Sequence, residues 1–351
     1  MKKPYLIILL SIIITLISGC NGNNSNNEKG KVIFAGSAVG QDLKLAKEAV
    51  KNFEKDYPEY KGKIEVLETP DLADDRYGLY LQYFATKSSK IDIIMIDVIW
   101  PGDLSEHLVD LNKYGAKKYT DKHFLEIVKN NTVNNRLVGL PWFTDAGLLY
   151  YRKDLLKKYN LKVPQTWSEL EKAAKKIQDG ERKAGNQDFH GFVWQGKPYE
   201  GLTCNALEWI ATHNGGRIIN RNKVITINNP NSIKAIQRVK KWIGKISPKA
   251  VLSYAEEDCR KIWESGNAAF MRNWPYCWSL GNQKGKVIAG KFDVAPIPKA
   301  KGGKHASALG GWQIAVSKYS DNKKLAAKFA LYITSLKEQK KRAIKGSKNP
   351  T

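Results

Sequence analysis

From Lys31 onward, short apolar runs alternate with longer stretches in which apolar side chains recur every three or four positions. Val32–Ala35, Ile64–Leu67 and the nearly unbroken run Ile91–Ile96 are of the first kind and predict strands. The last, which ends at Asp97, fits a strand covered on both faces. Between them, Leu43, Ala46, Val50 and Phe53 mark one face of a helix over 42–57, and a second helix is expected around 74–85. The middle third predicts mostly helix. Thr166 and Glu169 form a capping box, with the helix running to about Gln178 and Gly180 as its stop. Asn229-Pro230 opens another helix, to about Gly244, and Glu256–Glu264 reads as a third. Strands return at Ala268–Met271, Phe292–Ala295 and Gln313–Ser317, and helices over 320–334 and 335–344 follow. This alternation predicts an α/β architecture, in which ligands gather beyond the carboxyl ends of strands. Asp97 and Trp100 lie just past such an end.

The first residues break the pattern. Lys2 and Lys3 precede an apolar run from Tyr5 to Ile17, and Ser18-Gly19-Cys20 follows. A basic start, a short apolar stretch and small residues before a cut predict a secretory signal over 1–19. The ending Leu16–Cys20 resembles a bacterial lipobox, which implies lipidation at Cys20 and attachment to the outer face of the cytoplasmic membrane. An uncleaved helical anchor with an incidental Cys is the alternative. Residues 20–30, rich in Asn and Gly, read as a flexible tether.

Composition narrows the function. The 351 residues carry a formal charge of +24, but the Lys and Arg are spread along predicted helix faces, with no nucleic-acid-binding motif among them. Beyond Cys20 the cysteines are Cys204, Cys259 and Cys277, without a Cys-x-x-Cys spacing. Buried thiols are expected, with a Cys259–Cys277 bridge left open. The five histidines are scattered, and neither a nucleophile elbow nor a zinc-protease motif is present. Gly285–Lys291 matches most of a phosphate-binding loop, but Phe292 stands where a hydroxyl should hold magnesium. Asp97 and Asp145 could pose as a glycosidase pair, whose spacing a sequence does not reveal. The expectation is therefore binding without catalysis, cofactor or metal.

Four segments mix aromatic, acidic and basic residues and are read as loops after strands: Asp97–Trp100, Pro141–Asp145, Arg272–Tyr276 and Gly310–Trp312. Saccharides call for this mixture. Their C–H faces stack on aromatic rings, while their hydroxyls bond most strongly to charged groups.

With these segments, Asp145–Leu156, Pro164–Trp167, Gly191–Leu202, Gly266–Phe270 and Ser317–Lys323 resemble the solute-binding proteins of carbohydrate ABC importers, the maltose-binding group. The similarity is greatest to its trehalose/maltose-binding branch. The resemblance implies a two-lobed periplasmic-binding-protein-like α/β fold of type II, its hinge crossed more than once. Residues 31–143 and 278–335 would form lobe 1, and 144–277 with 336–351 lobe 2. Family members continue for several tens of residues beyond Thr351, so lobe 2 is expected to be incomplete. By motif position Asp97, Asp145, Arg76 and Asp42 would bind sugar hydroxyls. Trp274, Tyr276 and Trp312 would stack on or bond to the rings, and Gly311 would offer backbone contact; Tyr199, Trp100, Trp142 and Phe143 are further candidates. The implied partners are a disaccharide or short oligosaccharide, permease subunits and the membrane, for a monomer that binds no nucleic acid. A glycerol phosphate ester as ligand, or a tethered sensory or adhesive module, are the competing readings.

Overall fold

The computed structural model describes residues 30–351; the expected signal over 1–19, Cys20 and all but the end of the expected tether lie outside these residues. In chain order, the strands of the two large sheets are β1 (Val32–Ser37), β2 (Ile64–Thr69), β3 (Ile93–Asp97), β4 (Leu140–Ala146), β5 (Leu148–Arg152), β6 (His190–Val193), β7 (Ala268–Asn273), β8 (Phe292–Ala295) and β9 (Leu309–Val316). The principal helices are α1 (Asp42–Asp56), α2 (Ala73–Ala85), α3 (Trp167–Lys183), α4 (Glu200–Thr212), α5 (Pro230–Lys240), α6 (Glu256–Glu264), α7 (Lys323–Ile333) and α8 (Leu336–Gly346).

The first sheet has the order β2-β1-β3-β9-β4. Its first three strands are parallel, and β9 runs antiparallel to both β3 and β4. Every residue of β3 is buried, as expected for a strand covered on both faces. On one face pack α1, through Leu45, Ala46, Ala49, Val50 and Phe53, and α7 through Phe329 and Ile333. On the other lie Tyr80 and Phe84 of α2, with Trp100 and Leu104.

The second sheet, β8-β5-β7-β6, has its own cores. Trp167, Trp194, Trp209 and Trp242 fill one face. The capping box that starts α3 is formed: the Glu169 amide donates to Thr166 Oγ1 over 3.3 Å, and Glu169 Oε2 accepts from the Thr166 amide at 2.9 Å. Gly180 does not stop this helix, which runs on to Lys183. A side chain there would collide with the Tyr159 ring, so the glycine makes room for packing. The helix opened by Asn229-Pro230 ends at Lys240, short of Gly244, which sits in the next turn with φ +75°.

The expected division of the chain needs two corrections. Residues from 278 do not return to the first sheet, because β8 pairs antiparallel with β5 and Phe292 packs against Tyr150, Trp263 and Trp278. The return comes only at β9. Helix α8 packs chiefly on the first half, against α1 and α7, with a further contact to residues 277–281 of the second. Lys337 pairs with Asp56 at 2.5 Å and Lys345 with Glu48 at 2.6 Å, while Gly346 abuts Leu45.

The chain crosses between the halves at Gly147 and again at Ser307–Ala308, and the two crossings run side by side. The Gly147 amide donates to the Ala308 carbonyl at 3.4 Å, and Ser307 Oγ to the Gly147 carbonyl at 2.8 Å. Beneath them lies a buried ion pair. Arg272 Nη2 and Nε donate to the two Glu208 carboxylate oxygens at 2.6 and 2.9 Å, and Glu208 also accepts the Ala308 amide at 3.1 Å. A Cβ on residue 147 would strike this carboxylate, so the first crossing requires glycine. Cys204, Cys259 and Cys277 are free thiols, all buried.

Candidate functional site

A cleft of about 940 Å³ opens between the two sheets. Its floor and walls come from strand ends and helix starts, because the side chains there face the gap while the strand interiors face helices. Asp97 ends β3 and stands opposite Trp312 in the β3–β9 register. Asp145, near the end of β4, stands opposite Gly310. Gly311 has φ +116°, and a Cβ on it would collide with the Phe143 carbonyl; this conformation brings the β9 backbone to the cleft surface.

On the first-half side, Arg76 is fully buried. Its Nε donates to Thr69 Oγ1 at 3.1 Å and its Nη2 to the Pro70 carbonyl at 2.7 Å, and the guanidinium lies 4.6 Å over the Trp312 ring. Its Nη1 has no hydrogen-bond partner. Asp145 Oδ1 is buried and equally without one. Burial, reinforced by Glu200, pushes the Asp97 carboxyl up to about 7. Burial likewise pushes Asp145 up to about 6, against the downward pull of Lys348. Asp42, the first residue of α1, is paired with Lys348 at 3.0 Å and Arg342 at 3.4 Å.

On the second-half side, Trp274 is half-buried, with the Arg272 guanidinium 4.0 Å over its ring. Its Nε1 donates to Glu256 Oε1 at 3.3 Å, and Tyr199 donates its hydroxyl to Glu256 Oε2 at 2.5 Å. The Tyr276 hydroxyl donates to Glu257 at 2.7 Å. Its ring packs on Gly40, where a Cβ would lie 2.9 Å from Tyr276 Cδ2. At the mouth, the Glu200 amide donates to Asp74 Oδ2 of the other half at 3.3 Å.

The structure thus brings Asp42, Arg76, Asp97, Asp145, Tyr199, Trp274, Tyr276, Gly311 and Trp312 to one cleft. It does not bring Trp100, Trp142 or Phe143 there. Pro141–Asp145 is not a loop but part of β4, so Trp142 and Phe143 enter the first-sheet core. Trp142 packs edge-on to Phe34 at 5.8 Å, and Arg342 lies 3.8 Å over its ring. Trp100 stands behind the cleft, edge-on to Trp312 at 5.4 Å. Sequence reasoning missed Glu200, Glu256, Glu257 and Lys348, all of which line the cleft. The start of α6, Glu256-Glu257-Asp258, reads in sequence only as acid at a helix N-terminus.

Chemically, the site offers two half-buried indole rings, carboxylates as acceptors and Arg76 as a donor. Its lining is acidic although the protein is strongly basic. Among the described residues, no group of His, Cys, Asp and Glu is arranged to hold a metal ion.

Residues 37–340 match the family described as bacterial extracellular solute-binding protein. A Deinococcus radiodurans relative described as "Probable ABC transporter-binding protein" is 48% identical over 319 residues, covering 91% of this chain and 75% of its own. The maltodextrin-binding protein MdxE of Bacillus subtilis is 25% identical over 346 residues, covering 95% of this chain and 76% of its own. Among solved structures, maltose-bound MalE3 of Thermotoga maritima superposes with a TM-score of 0.85 at 40% identity, covering 92% of this chain and 81% of that one.

Proposed function

Because the chain belongs to the bacterial extracellular solute-binding proteins, we propose that it captures a disaccharide or short oligosaccharide of the maltose or trehalose kind and delivers it to an ABC importer. The observation that carries this reading is the meeting of Trp274 and Trp312 with the charged side chains of Arg76, Asp97 and Asp145 in one cleft. Saccharide hydroxyls bond most strongly to such charged partners. A pyranose adds an apolar face for the indoles. The cleft volume suits a ligand of this size.

Closure follows from the same geometry. Only when both halves approach does one ligand touch Trp274 of the second half together with Arg76 and Asp145 of the first, so binding favours the closed form. The protein acts as a monomer, held to the membrane through lipid on Cys20, and the closed form docks on permease subunits. A phosphate ester is disfavoured, because Asp42, Asp97, Asp145, Glu200 and Glu256 line the cleft and would repel it.

Isothermal titration and tryptophan fluorescence with maltose, trehalose, maltotriose and sucrose test the reading. Saturable binding of at least one, weakened but still measurable in Asp145→Asn, is the expected result. A folded protein that responds to none of them refutes it.

A further inference from the structure

The chain after α8 doubles back on itself. Ser347, at φ +51°, turns the backbone, and the Asn349 carbonyl accepts the Thr144 amide at 3.0 Å beside β4. Lys348 between them is only 4% exposed, yet it lines the cleft. Its ammonium is 3.0 Å from Asp42 Oδ1, 4.4 Å over the Phe143 ring and 5.1 Å over the Tyr276 ring. It therefore stands where the first half, the second half and the start of α1 meet; the Thr144–Asn349 bond ties its segment to the one that carries Asp145, and Lys348 and Asp145 both line the cleft.

We propose that Lys348 is a positioning residue of this cleft, which holds the carboxylates of Asp42 and Asp145 as charged acceptors for the ligand. The inference rests on the saccharide-binding reading above. Asp145 Oδ1 has no hydrogen bond, so its charge is supported by cations alone. Those that act on it are Lys348 from the tail, Arg342 from α8 and Arg272 from β7, with Asp42 of α1 opposing them. Asp97 and Tyr150 are the other titratable groups that feel its charge. Lys348 is the strongest of the favourable influences. Arg342 is a poor substitute: its guanidinium lies 3.8 Å over the Trp142 ring, and its Nη2 donates to Asp42 at 3.4 Å. Arg272 is already committed to Glu208. Phe143 and Tyr276, which sequence reasoning assigned to the ligand, flank this ammonium on two sides. An ammonium over an aromatic face is stabilised there without losing its charge.

Two measurements test the inference. The first needs no sugar: the Asp145 side-chain carboxyl is followed by carbon-13 NMR between pH 4 and 9, its signal assigned by its loss in Asp145→Asn. Lys348→Met should raise the titration midpoint by about one unit or more, the shift expected when a neighbouring opposite charge is removed. The second is calorimetric titration with maltose at pH 7. Lys348→Met should weaken binding about tenfold or more, and regain affinity as the pH rises toward 9. Lys348→Arg should stay within about threefold of the parent, since the charge is kept. In the Asp145→Asn background, Lys348→Met should cost less than about threefold, as coupled residues require. An unmoved midpoint in a folded Lys348→Met protein, or an equal penalty in both backgrounds, overturns the inference. If Lys348→Met does not fold, Lys348→Gln carries both measurements with the same outcomes. A parent protein that takes up no sugar while the midpoint still moves sinks the saccharide reading and leaves the link between Lys348 and Asp145 standing.

Discussion

The two walls of the cleft are built on opposite plans. On the first-half wall, polar groups are left open: Arg76 Nη1 and Asp145 Oδ1 are buried without partners, and the Asp97 carboxylate accepts the Ile99 amide at 3.1 Å. On the second-half wall they are closed: Glu256 is taken by Tyr199 and Trp274, and Glu257 by Tyr276 and Arg260. What the second wall leaves available is mainly the face of an indole. The difference teaches a division of labour. One wall supplies unsatisfied hydrogen-bonding capacity, which discriminates among hydroxyl patterns. The other supplies a rigid apolar platform, held by Glu256 and backed by Arg272, which rewards any sugar with a flat C–H face.

Removing the platform should have the largest effect. Trp274→Ala is expected to weaken maltose binding by about 2–3 kcal/mol, the range of a buried aromatic anchor, or roughly 30- to 150-fold by calorimetry. Acidification attacks the other wall. The carboxyls of Asp97 and Asp145, raised to about 7 and about 6, are ionised above those values and protonated below them. Charged acceptors bind hydroxyls more strongly, so affinity should be full near pH 8 and fall about tenfold by pH 5.5. In the ligand-free protein the sign reverses. These folded-state values lie above the ordinary carboxylate value of about 3.9, so their contribution to stability is lost as the pH rises through 4 to 7. Sugar should therefore raise the melting temperature more at pH 8 than at pH 5.5. Glu256→Gln keeps shape but trades charge-assisted bonds to Tyr199 and Trp274 for neutral ones. About a fivefold loss in affinity, with equal losses for maltose and trehalose, would mark it as support for the platform. Trp142→Phe should change affinity by less than about twofold while lowering the melting temperature, because that ring belongs to the core. A large affinity loss there would erase the distinction between cleft and core aromatics.

Much of this arrangement was legible along the chain. Phe292–Ala295 and Glu256–Glu264 fall on β8 and α6 as expected, since both are bounded by glycine, proline or clustered acid. The strand end bearing Asp97 was legible too, because a buried apolar run that stops at an acid marks where a strand leaves its core. The misassigned aromatics show the limit. Trp142 and Phe143 lie in a segment whose mixture of aromatic and acidic residues read as a loop, and only pairing with β9 makes it a strand with core-facing rings. Lys348 and Glu256 were illegible for a different reason. Each reaches the cleft through packing between segments distant in sequence, and neither has a local pattern distinct from that of an ordinary solvated charge.

The ion pair under the crossings also decides which part can swing. Glu208 and Arg272 both belong to the second half, and Glu208 grips the Ala308 amide directly while pressing on Gly147. Pulling the second crossing away from it would forfeit the charge-assisted bond from the Ala308 amide, a loss of about 1.5–3 kcal/mol. Any parting of the jaws must therefore bend the backbone on the far side of that grip, between residues 144 and 147 and between 308 and 311. The Trp274 shelf then travels with the fixed jaw, and it is the jaw carrying Arg76 and Asp97 that lifts off the guest.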